Sequence, residues 1–170
     1  MPVEPLPEPW LRGIVPNVHP VTGHLLRAAE QICEDSAKAL ESVTIDQLWA
    51  KPQGMTSAGF HAKHLAGSTR RLCTYLIGDQ LDSVALRDLA SEGEGTESPA
   101  ELRAAIDTAF ARYREIVHAL DPADFGSIRE IGRKRIQVTA ISLAIHIVEH
   151  GQRHTGQLVG ATKLARVGKI

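Results

Sequence analysis

Apolar residues return at spacings of three and four along most of this chain, and that period allows only one kind of architecture. From His19 to Val43 the recurring positions are Val21, Leu25, Ala28, Ala29, Ile32, Ala39, Leu40 and Val43. "TIDQLW" then opens with Thr44 and Gln47, the spacing of a capping box, and Pro52 stops that short helix. Thr56 or Ser57 caps a second long segment, "AGFHAKHLAGSTRRLCTYLIG", which ends near Gly78. Ser98 and Glu101 make another capping box ahead of "PAELRAAIDTAFARYREIVHAL", with Pro99 in its first turn. A last helix is expected from about Val138 to Ala165, with Gly168 beyond its end. Four long amphipathic helices bury their stripes by packing on one another, so the expectation is an all-α four-helix bundle.

The remaining stretches read as connections. Prolines at positions 2, 5, 7, 9 and 16 rule out a regular helix over residues 1–18, which are expected to form an extended N-terminal arm anchored by Trp10 and Leu11. "SEGEGTES" (91–98) is acidic and glycine-rich, the composition of a solvated loop. "IREIGRKRIQV" is either irregular or strand-like. With 170 residues the chain is long enough for one substantial core, so residues 19–170 are read as a single domain.

A formal net charge of -1 gives no general attraction to nucleic acid or to anionic membrane. No run approaches the roughly 18 apolar residues of a membrane span, and the first residues lack the pattern of a signal peptide. Cys33 and Cys73 have neither metal nor redox spacing and point to a reducing compartment. The expected location is the cytoplasm.

"HIVEHGQRHTGQL" (146–158) interrupts this ordinary pattern with three histidines four residues apart. With His150 set at zero on a helical wheel, His146 lies at about -40°, His154 at about +40° and Gln157 near about -20°. Leu143 and Ala161 fall near about +20° and Ile147 near about +60°, so the imidazoles share the sector expected to face the core. An unpaired imidazole there costs on the order of a few kcal/mol. Imidazoles at i and i+4 stand about 6 Å apart along the axis and can point at one ion. Their nitrogens suit zinc or nickel at about 2.0–2.1 Å. Each could instead be satisfied by a carboxylate or backbone partner, but the second long helix carries His61 and His64, and two clusters favour an ion. Periodicity does not choose between His61 and His64.

"GFHAKHLAGSTRRL" followed much later by "EHGQRHTGQL" resembles the DinB-like (YfiT-like) metalloprotein family, which is distinct from the DNA polymerase sharing that label. The resemblance implies a helical bundle and covers most of the chain from His19 onward. It also implies that His64, just before a Leu-Ala pair, and His150 with His154, ahead of Gly156 and Gln157, are the metal ligands. His61, His146 and Gln157 become pocket-lining candidates. The arginine that the family places after the last histidine is Thr155 here, which removes any role that arginine would have. Glu149 is read as orienting a neighbour or making a surface pair, not as a ligand, and His24 as a residue that could reach the cavity.

Other motifs carry less. Glu115 and His118 form one E-x-x-H, where a di-iron bundle needs two, and His118 suits a helix end. His19, ahead of Pro20, is expected to cap nothing. "GRKRI" reads as a solvated basic face. Three histidines without a fourth protein ligand leave coordination positions open, as in a catalytic zinc-type site. The expected function is therefore a metal-dependent enzyme acting on a small-molecule substrate. The resemblance implies either a hydrolase or a transferase of a low-molecular-weight thiol. The competing expectation is a non-catalytic bundle whose ion is structural. Bundle faces could also pair into a homodimer.

Overall fold

The computed structural model describes residues 6–167, apart from the side chains of residues 88–90. Residues 1–5 of the expected arm, and Gly168, lie outside them. The described residues form six α-helices, α1 (Pro20–Leu40), α2 (Ile45–Trp49), α3 (Ala58–Leu76), α4 (Ser83–Ala90), α5 (Pro99–Ala119) and α6 (Ala140–Arg166), with a hairpin of β1 (Ile128–Ile131) and β2 (Ile136–Thr139) between α5 and α6. The chain is thus mostly helical. Of the four long helices, α1 and α3 each pack against both α5 and α6. Helices adjacent in sequence, α1 with α3 and α5 with α6, therefore sit diagonally across the packing, and each pair needs a link that crosses an end. The first link carries α2 and the second carries the hairpin. Because of this diagonal order, α3 and α6 lie side by side.

Local sequence fixes where the helices begin. Ser57 Oγ accepts the backbone N–H of Phe60 at 3.1 Å, and Thr139 Oγ1 accepts that of Ser142 at 3.2 Å. Thr44 with Gln47, and Ser98 with Glu101, close reciprocal capping boxes. Ile32, Leu65, Ile106, Phe110, Tyr113, Ile147 and Leu158 fill the space between the four long helices and are all but inaccessible. The phenol of Tyr113 keeps its polar end satisfied there by donating to the Ala144 carbonyl at 2.9 Å.

The hairpin departs from the all-helical expectation and resolves the ambiguous "IREIGRKRIQV" as strand. Ile128 pairs with Thr139 and Ile131 with Ile136, around a basic turn bounded by Gly132 and Arg135, both at positive φ. Val138, expected to start the last helix, belongs instead to β2. The backbone N–H groups of Ala140 and Ile141 donate to Ser127 and Phe125, fastening the hairpin base to the start of α6. Arg129 Nε donates to the Leu76 carbonyl at 2.6 Å, satisfying an otherwise orphaned carbonyl at the end of α3. The hairpin thereby ties the last turn of α3 to the first turn of α6.

Other details also differ from expectation. Helix α4 was not apparent from the sequence, since its eight residues lie between weak turn signals. Trp10 and Leu11 are 61% and 55% exposed and do not anchor the N-terminal segment. Arg12 does so, through Pro7 O and the carboxylates of Glu30 and Glu34 on α1. His19 is a cap after all: its Nδ1 accepts the Val21 N–H at 3.2 Å.

Leu48 is the one fully buried residue of α2 and holds the first crossing link to the core. Leu48→Ala should destabilise the protein by about 2–5 kcal/mol in urea unfolding. A loss under about 0.5 kcal/mol would mean that α2 does not brace the link.

Candidate metal centre

Ser57 starts α3 so that Phe60, His61 and His64 fall in its first two turns, while His150 and His154 occupy successive turns in the middle of α6. Side-by-side packing of the two helices then brings four imidazoles together. His64 Nε2 faces His150 Nε2 at 3.0 Å, and His61 Nδ1 faces His154 Nδ1 at 3.2 Å. One ring nitrogen from each of His64, His150 and His154 lies within 4.8 Å of the other two. Two nitrogen–metal bonds of about 2.1 Å meeting near a right angle span about 3 Å, so the His64–His150 gap has the size of a shared ion. Phe60 stacks on His64, with ring centroids 5.4 Å apart and planes 13° from parallel.

Glu92 completes the arrangement, and the sequence analysis missed it. It lies in the acidic segment between α4 and α5, read there as a solvated loop, yet it is only 4% exposed. Its Oε2 lies 2.6 Å from His64 Nδ1 and its Oε1 lies 2.6 Å from Arg71 Nη1. Burial raises the proton affinity of this carboxyl, but the hydrogen bonds from His64 and Arg71 outweigh it and hold the group below the usual carboxylate range. An ionised carboxylate only accepts, so His64 Nδ1 carries a proton, and in the neutral form of that ring Nε2 presents a bare lone pair toward His150. A sequence signal for this existed in Arg71, seven residues after His64 and so on the same helix face. A buried arginine needs an anion.

The buried face of α6, running through Ala140, Ala144, Ile147, Gly151, Thr155 and Leu158, is centred about 90° from His150. The histidine stripe therefore lies along the rim of the core and not on it. His150 and His154 are half-buried, while His146 and Gln157, on the far side of the rim, are exposed. Of the three additional candidates, only His61 is buried against the cluster. His24 is exposed and lines a groove of about 290 Å³ with Trp10 and Val148. Thr155 is buried with its hydroxyl 3.3 Å from that of Ser36. Glu149 is exposed, and the exposed Glu115 pairs with Arg112.

Residues 28–158 match the sequence profile of the DinB superfamily. The chain belongs to the DinB superfamily. A solved DinB-like protein from Bacillus cereus ATCC 10987 shares the fold, with a TM-score of 0.64 over 83% of this chain and 90% of the other, at 15% identity. No curated protein matches the chain. In this DinB chain the three histidines form a group that can hold a divalent ion, and no described helix is long and apolar enough to cross a membrane.

Burial, and then the neighbouring His64, lower His150 to about 4 and His154 to about 3. Unfolded imidazoles titrate near about 6.5. Between that value and about 4 the unfolded chain takes up protons that the folded chain refuses, so stability falls with pH across this window. Metal-free protein should lose denaturant resistance steadily from pH 7 to pH 4.5, and the His150→Gln/His154→Gln double variant should show a flatter profile. Equal slopes for the two proteins would refute the assignment.

Proposed function

We propose that this chain is a metal-dependent enzyme built on a single four-helix-bundle domain, with His64, His150 and His154 as the ligands of one divalent transition metal, zinc or nickel. The strongest support is the facing pair of Nε2 atoms 3.0 Å apart, one of them on a ring whose Nδ1–H donates to Glu92. Three imidazole ligands leave coordination positions for water or substrate. The ligands are half-buried, so that side of the centre is open to small molecules.

An ion bound there supplies Lewis acidity and the means to ionise a water or a thiol near neutral pH. The protein's own residues prepare the place for it. His150 and His154 stay unprotonated at neutral pH because burial disfavours their cations. Phe60 covers one face of the His64 ring. The reaction classes that fit are hydrolysis of a small molecule and transfer of a low-molecular-weight thiol to an electrophile.

A structural ion is the second reading, because ligands drawn from both α3 and α6 would also cross-link the two helices. Protein reconstituted with zinc or nickel should retain close to one ion per chain by elemental analysis. His64→Ala, His150→Ala and His154→Ala should each abolish tight binding, and His118→Ala should not. Retention of the ion by all four variants would refute the site. Chelation that abolishes ester hydrolysis or thiol conjugation while the helical fold persists supports the enzyme. A large fall in melting temperature, with no activity across both assays, supports the structural ion.

A further inference from the structure

We propose that Glu92, itself held by Arg71, is the positioning residue of this centre: it fixes the proton of His64 on Nδ1 and so aims the Nε2 lone pair at the ion.

Arg71 Nη1, Glu92 and His64 Nδ1 form one line of contacts at 2.6 Å on either side of the carboxylate, and both Arg71 and Glu92 are almost wholly buried. Without an acceptor at Nδ1 an imidazole can place its proton on either nitrogen, and the wrong tautomer points an N–H into the centre. Arg71 prevents the carboxylate from turning away, because leaving would strand a buried guanidinium.

Three further features hold Glu92 in place. Lys63, on the same helix, donates to the Glu94 carbonyl at 3.0 Å and pairs with Glu97 at 2.7 Å. Trp49 Nε1 donates to the Glu97 carbonyl at 3.0 Å. Gly67, one turn past His64, provides the space: a Cβ at that position would overlap Glu92 Oε1 and lie 2.9 Å from Arg71 Nη1. A loop of solvated composition is thus pinned to α3 at several points, and the one carboxylate it buries ends on a candidate ligand.

This inference deepens the proposed function and depends on it for the ion, but the tautomer can be read without one. Two double variants isolate the acceptor while removing the buried charges that could impair folding. Arg71→Met/Glu92→Gln keeps a neutral acceptor for Nδ1–H, and Arg71→Met/Glu92→Met removes it. In zinc titrations against a competing chelator, the Met/Met protein should bind about 10–100-fold more weakly than wild type. The Met/Gln protein should recover most of that loss. Proton–nitrogen correlation spectra of the metal-free proteins should show His64 protonated on Nδ1 in wild type and Met/Gln, and mixed in Met/Met. Equal zinc affinity for the two doubles, or a bare Nδ1 in wild type, overturns the proposal. Failure of wild type to bind zinc or nickel at all would instead defeat the proposed function, and the spectra would still decide the role of Glu92.

Discussion

Two imidazole nitrogens 3.0 Å apart at the rim of a helical core require something to decide which of them carries a proton. If both are bare, their lone pairs repel; if both are protonated, their hydrogens collide. A hydrogen bond between them needs one proton in the gap, and a shared cation needs none. The carboxylate behind His64 narrows these states, because it accepts the Nδ1–H hydrogen bond and so leaves Nε2 bare whenever that ring is neutral. Whether that gap holds a proton or a metal then turns on which nitrogen of His150 carries its proton, since burial disfavours the doubly protonated ring.

This pairing depends on topology as much as on local sequence. Were α1 and α3 neighbours in space, as a simple up-and-down order would place them, the histidines of α3 could not share a boundary with those of α6 in the same way. The diagonal order calls for two links that cross the ends of the helices. The hairpin then does more than connect, since its strands join the end of α3 to the beginning of α6 through Arg129 and the residues before Ala140. Helix ends fray most readily, because their last hydrogen bonds are unmade. Tying these two ends together fixes the relative position of the two helices on which the imidazole pairs depend.

The sequence carried the long helices clearly, because caps and a 3.6-residue period are local signals: Ser98 and the stripe through Ile32 were legible without tertiary information, and the cap of α3 was narrowed to Thr56 or Ser57, of which Ser57 is the one used. Neighbouring positions on α6 show where that method weakens. Leu143 and Ala161 lie on the margin of the buried face, and taking them as its centre turned the wheel far enough to bring His146 and Gln157 inward. A wide apolar face leaves its own midpoint poorly defined by a few residues. The hairpin and α4 were less legible for a different reason, since short elements owe their existence to what they pack against. Glu92 was the hardest to foresee. Nothing in "SEGEGTES" distinguishes it from Glu94 or Glu97; only Arg71 on the opposing helix does, through a contact 21 residues away in sequence.

The position of the histidines on the rim also bears on what an ion would do. The apolar core is closed by Ile32, Leu65, Phe110, Tyr113, Ile147 and Leu158, and contains none of the three candidate ligands. A structural site in a small protein typically stands in for a core that is missing, so the chain without metal has little to hold it together. Here the core is complete beside the site, and the imidazoles cost stability when they must be desolvated. An ion would stabilise the fold by mass action on the native state, to a degree set by its affinity and concentration. Half-buried histidines that lie outside the apolar core, one of them bonded to a buried carboxylate, fit the proposed catalytic ion better than a structural cross-link. On the rim these groups are desolvated on one side only, which keeps His150 and His154 unprotonated near neutral pH while their other side stays accessible.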